Sequence, residues 1–141
     1  MTKEYIAIFP GQGSQKNLMA QDFVQEYRIA KEVFERASEA TKLDLETICF
    51  ADDPRLNETE FTQPAILTTE IAIYSVLIQE YNLNFKLFAG HSLGEYTALC
   101  AAGVFRLEDA VQIVRKRGQL MQEAVPIGMG AMSALVSETL M

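Results

Sequence analysis

Phe88-Ala89-Gly90-His91-Ser92-Leu93-Gly94-Glu95-Tyr96 is the stretch that decides how the chain is read. An apolar run from Phe85 to Ala89 leads into Gly90-His91-Ser92-Leu93-Gly94, and Tyr96 to Val104 reads as a helix of small residues. G-x-S-x-G between a strand and a helix is the setting of a nucleophile elbow. A serine on so tight a turn needs neighbours without a bulky Cβ. A helix that begins at the serine aims its free N–H groups and positive end at developing oxyanion charge. A plain strand-to-helix turn could carry the same residues, but the strand before and the helix after favour the nucleophile. Ser92 is the residue to explain.

The rest of the composition fits around that elbow. The chain has 141 residues, 49% hydrophobic and 22% charged, the make-up of one soluble globular domain with a real core. No apolar run approaches the roughly 18 residues of a membrane span, and Met1-Thr2-Lys3-Glu4-Tyr5 lacks the apolar core of a secretory signal. Cys49 and Cys100, far apart in predicted helices, read as buried free thiols, which fits a cytoplasmic protein. A net charge of −7 argues against general nucleic-acid binding.

Tyr5 to Phe9 reads as a strand buried on both faces of a parallel sheet. It ends in Pro10-Gly11-Gln12-Gly13-Ser14-Gln15, a sharp loop at the carboxyl end of a strand, where ligands bind in open α/β sheets. Gly-x-Gly without a third glycine is a weak nucleotide signal. Ile29, Val33, Phe34, Ala37 and Ala40 mark one face of a helix over Arg28–Thr41, and Leu45–Phe50 reads as a short helix before a turn at Asp52-Asp53-Pro54. Thr62-Gln63-Pro64 looks like a helix start, with Pro64 in the first turn. That helix should run to about Tyr81 and bury Leu67, Ile71, Tyr74 and Ile78. After a break at Gly103, Leu107 opens a helix whose Ala110, Val114, Met121 and Ala124 share a face. Arg117 falls inside that apolar stripe, whereas Arg115 and Lys116 read as a solvated face. An arginine on a core-facing stripe is costly unless paired. Either it is a structural ion pair, or its guanidinium sits in a pocket and holds a substrate carboxylate.

Together these residues resemble the malonyl-CoA:acyl carrier protein transacylases and the related acyltransferase domains of polyketide synthases. The resemblance rests on Phe9-Pro10-Gly11-Gln12-Gly13-Ser14-Gln15, Thr62-Gln63-Pro64-Ala65, Gly90 to Tyr96, Arg117-Gly118, Met121-Gln122-Glu123-Ala124 and Gly128-Met129-Gly130-Ala131-Met132. It covers essentially the whole chain. It implies an α/β fold with a parallel sheet flanked by helices, an α/β-hydrolase-like core that is incomplete on its C-terminal side. Residues 1–125 would form the N-terminal part of that core, and 126–141 the start of a small ferredoxin-like subdomain, with a strand over Gly130–Ser137.

The resemblance also implies roles. Ser92 would carry the malonyl group as an ester between coenzyme A and the phosphopantetheine thiol of an acyl carrier protein. Backbone N–H groups of Gln12 and Leu93 would form the oxyanion hole, Arg117 would bind the malonyl carboxylate, and Gln63 and His91 would line the site. Leu93 after the nucleophile is similar to the malonyl-preferring pattern. No cofactor beyond the coenzyme A thioester, no metal, no nucleic acid and no membrane are implied. Family members are about twice as long and keep their catalytic histidine in the half that is missing here. The only histidine is His91, and adjacent side chains at an elbow diverge, so it is poorly placed to take the Ser92 proton. The chain therefore reads as the N-terminal half of such an enzyme, with a hydrophobic sheet face left for a second chain or self-association. Two further readings stay open: a serine hydrolase sharing the elbow, and a catalytically silent fragment that acts only by binding.

Overall fold

A computed structural model describes residues 3–131 and 133. The elements in order are β1 (Glu4–Phe9), α1 (Gln21–Glu26), α2 (Arg28–Thr41), α3 (Leu45–Phe50), a 3-10 turn (Pro54–Asn57), α4 (Thr59–Gln79), β2 (Asn84–Gly90), α5 (Leu93–Ala101) and α6 (Leu107–Ala124). The expected strand over Gly130–Ser137 lies mostly outside the described residues, as does most of 126–141.

β1 and β2 pair in parallel, from Glu4 beside Asn84 to Phe9 beside Gly90, with one irregularity between Tyr5 and Ile6. Facing residues of a parallel pair point to the same side. Ala7 and Phe9 pack inward against Ala98 of α5, together with Tyr74, Phe85 and Phe88. Ile6 and Ile8 point the other way and are 59% and 74% exposed. The expectation of a strand buried on both faces is therefore corrected: among the described residues nothing covers the outer face.

The main core lies between helices. Ala30, Val33, Phe34 and Ala37 of α2 meet Ala65, Leu67 and Ala72 of α4 and Ala110, Val111 and Val114 of α6. Thr62 to Thr69 are buried without a break, so α4 is apolar all round rather than on one stripe, as befits a central helix. By length and composition alone this 21-residue helix could cross a membrane, with a mean hydropathy of 1.3 over an 18-residue window, although Thr62, Gln63, Thr68, Thr69 and Glu70 interrupt its apolar residues. In this fold that stretch is the middle of the protein core.

Pro64 does not open α4. The helix begins at Thr59, after Glu58, whose carbonyl accepts the N–H groups of Phe61 (2.8 Å) and Thr62 (2.8 Å). Proline inside a helix leaves the carbonyl four residues back without its usual donor, and here burial of the surrounding segment outweighs that local cost. α4 ends at Gln79, and Tyr74 and Ile78 are only partly buried. α5 likewise begins at Leu93 rather than Tyr96, because the turn after β2 consumes only two residues, His91 and Ser92.

Candidate active site

The carboxyl ends of the two parallel strands bring two loops into backbone contact. The His91 N–H donates to the Phe9 carbonyl (3.1 Å), carrying the strand pairing one residue past Gly90. A Cβ at Gly94 would lie 2.1 Å from the Phe9 carbonyl oxygen, and one at Gly90 would lie 2.0 Å from the Gly94 carbonyl oxygen. No side chain fits at either position. The two glycines of G-x-S-x-G are thus required by close approach of backbone to backbone.

Ser92 sits between them with φ 55° and ψ −107°, a conformation a side-chain-bearing residue adopts only under constraint. It precedes α5 without capping it, so its hydroxyl is not taken up by the helix end. Leu93 is the first residue of α5, and the first N–H groups of a helix have no partner within it. The Gln12 N–H likewise has no hydrogen-bond acceptor among the described residues.

α6 reaches this point from the other side. A Cβ at Gly118 would lie 2.7 Å from the Thr59 carbonyl oxygen, so α6 and the start of α4 cross backbone to backbone. The crossing sets Arg117 next to Gln63. Arg117 Nη1 donates to Gln63 Oε1 (2.9 Å) and Nη2 to Ser92 Oγ (3.1 Å). The guanidinium also lies 5.4 Å from the centre of the Tyr96 ring, a cation–π arrangement. Among the described residues no carboxylate pairs with it. A half-buried cation beside a strained serine is therefore left able to receive an anion.

Gln63 is fully buried. Its Nε2 donates to Met121 Sδ (3.2 Å) and towards Gln12 Oε1 (3.5 Å), and Gln12 Nε2 donates to Thr59 Oγ1 (3.0 Å). Ser92, Arg117, Gln63 and Gln12 thus form one connected group. His91 stands apart: its carbonyl accepts from the Gly94 N–H (2.9 Å) and its Nδ1 lies against Gly11. Among the described residues no hydrogen bond joins its ring to Ser92.

A sequence model of the acyl transferase domain matches residues 6–141. The chain belongs to the acyl transferase domain family. Among curated relatives, this chain is 45% identical over 129 residues to a malonyl CoA-acyl carrier protein transacylase of Bacillus subtilis, covering 91% of the chain and 32% of the relative. The crystal structure of the transacylase of that name from Clostridium perfringens superposes with a TM-score of 0.82 at 46% identity, over 90% of this chain and 40% of that one. A malonyl-transacylase solved in complex with its type II PKS acyl-carrier protein gives a TM-score of 0.82 at 41% identity, over 88% and 40%. The chain thus spans well under half the length of these relatives.

The sequence alone does not reveal several neighbours of the site. Thr59 and Gln63 are four apart on α4 and share a face, as do Arg117 and Met121 on α6; that spacing was the available signal. Arg115 is a correction. Instead of a solvated face it meets Glu60 (3.3 Å) and the Thr41 carbonyl, tying α6 to α4 and to the end of α2. Only Lys116 of that pair is exposed. Glu70 was also missed: it lies within α4, bonded by the Thr97 hydroxyl of α5. Burial pushes its carboxyl up to about 7, against the opposing pull of that bond.

Proposed function

We propose that this chain is the nucleophile-bearing part of a cytoplasmic transferase that moves a malonyl group from coenzyme A to the phosphopantetheine thiol of an acyl carrier protein, with residues 1–125 as the N-terminal part of its core. The observation that carries the reading is the 3.1 Å bond from Arg117 Nη2 to Ser92 Oγ. In a malonyl thioester the free carboxylate stands two bonds from the carbonyl carbon that a nucleophile attacks. A guanidinium within hydrogen-bond reach of the attacking oxygen suits that short spacing, and two parallel N–H donors suit a carboxylate.

In the first half-reaction Ser92 Oγ attacks the thioester carbon. Its proton passes to a base, the Oγ–C bond forms, and the carbonyl oxygen collects negative charge. The N–H groups of Gln12 and Leu93 are positioned to receive that charge, with the N-terminal end of α5 behind Leu93. The C–S bond then breaks, and the departing coenzyme A sulfur takes the proton. The second half runs in reverse with the carrier thiol as attacking group. Arg117 binds the same carboxylate in both halves, with Gln63 holding it in place. His91, with no bond to Ser92, supports the turn and lines the site. Among the described residues no side chain is bonded to Ser92 as a base, and in this chain water takes the serine proton.

Intact mass after exposure to malonyl-CoA and, separately, to acetyl-CoA tests this directly. The expected result is a malonyl adduct on the wild-type chain, none on Ser92→Ala, and selective loss of the malonyl adduct on Arg117→Ala. Equal loss of both acyl groups in Arg117→Ala would remove the clamp. A folded chain that binds carrier protein but gains no adduct would support a binding role instead, a reading favoured by the lack of any base bonded to Ser92 among the described residues.

A further inference from the structure

The hydrogen bonds around Arg117 run in one direction. A guanidinium can only donate. Gln63 must therefore turn its Oε1 to Arg117 Nη1, at 2.9 Å, and its NH2 away. That NH2 faces Met121 Sδ and Gln12 Oε1. Gln12 in turn has only its NH2 left to offer, and this meets Thr59 Oγ1 at 3.0 Å. The orientation of both amides follows from a charge two residues up the relay, and the relay stops at a hydroxyl that accepts. Bonds in such a series polarise one another.

The last two members of the relay differ in how firmly they are held. Thr59 is the first residue of α4, and its backbone is pressed against α6 at Gly118. Gln12 lies on the loop after β1, which has no helix or strand of its own to hold it. A second tie repeats the arrangement three residues on: Gln15 Nε2 donates to Asn57 Oδ1 (3.2 Å), while Gln15 Oε1 accepts from the Gly13 N–H (2.8 Å). Asn57 and Thr59 thus anchor the loop from the same short segment.

We propose that Thr59 is a positioning residue for acyl transfer, its hydroxyl fixing the Gln12 side chain and through it the backbone N–H that faces the acyl oxygen. The inference rests on the transfer reading above. Displacement of an oxyanion donor by a fraction of an ångström weakens the transition state more than it weakens substrate binding. Thr59→Val keeps the shape and removes the acceptor, whereas Thr59→Ser restores it.

The test combines acylation kinetics with nitrogen-15 NMR of the Gln12 side-chain amide. Thr59→Val should lower the maximal rate of Ser92 malonylation by about tenfold, with KM for malonyl-CoA within about twofold. It should also move the Gln12 side-chain NH2 resonances toward those of a free amide, and Thr59→Ser should recover both. An unchanged rate would overturn the proposal, and so would unchanged Gln12 resonances. So would a rate lost in Thr59→Val and not recovered by serine, because that outcome marks a packing role. If the wild-type chain is not malonylated at all, the transfer reading fails on its own account. The NMR comparison then decides whether Thr59 holds Gln12, and Gln12 resonances that ignore the valine would refute it.

Discussion

Arg117 brings a positive charge to a half-buried position and, among the described residues, spends its hydrogen bonds on a neutral amide and a hydroxyl. Lysine there would keep the charge but not the planar fork that serves Gln63 and a carboxylate together. Arg117→Lys should therefore cut malonylation on the order of 100-fold, and measured initial rates with acetyl-CoA should change far less. A different titration belongs to Glu70. Its carboxyl is raised to about 7, chiefly by burial, and Oε1 has no partner among the described residues. In the unfolded chain the same group ionises near 4.5. Between those values the folded state holds a proton that the unfolded state has released, so stability falls as pH rises through this range. The contribution is fully present below about 4.5, is lost through about 7, and amounts to on the order of 3 kcal/mol at most. Glu70→Gln should remove this slope, leaving the variant more stable than wild type at pH 8 in urea unfolding. A parallel pH profile for the two proteins would assign the slope to other groups.

At the scale of elements, the geometry of the site depends on where backbones touch. α6 can approach α4 only because residue 118 is glycine: an added Cβ would meet the Thr59 carbonyl oxygen at 2.7 Å and the Glu60 Cα at 2.9 Å, backbone atoms with little room to yield. Gly118→Ala should cost about 1–3 kcal/mol of stability and weaken the Arg117–Gln63 contact. Gly103, at φ 80° with open space around it, should lose only about 1 kcal/mol on the same change. Urea midpoints of the two variants compare them directly. This dependence also explains what could be read in the sequence. α2 and α3 have the bounds their periodicity predicts, and the elbow was legible because its glycines, strand and helix are local features. The start of α4 was not, since burial of Thr62 to Thr69 outweighs the proline signal. Arg115 was misread because its partners, Glu60 and Thr41, come from two other helices. Thr59 and Glu70 needed the helix crossings themselves, which no single segment encodes.

For the whole molecule the open question is the sheet. Two strands alone make a marginal sheet, and here one face is packed while the other presents Ile6, Ile8 and Leu87, the last 61% exposed. Beside β1, a cavity of about 410 Å³ between the strand and α4 is lined by Ile66, Ile73, Leu77 and Phe85 together with Glu70. Apolar surface of this kind is worth about 25 cal/mol for each Å² removed from water, and contiguous apolar patches mark contact sites. The chain on its own should therefore self-associate through this face. Sedimentation velocity over a range of concentrations should show mass above the 15.8 kDa monomer, returning toward the monomer in an Ile6→Thr, Ile8→Thr, Leu87→Thr variant. Threonine suits a strand, so circular dichroism should be unchanged while association is lost. A wild-type chain that stays monomeric throughout would mean that this face tolerates water. Association that persists in the triple variant would place the contact elsewhere, with the β1 edge and its cavity as the next surface to alter.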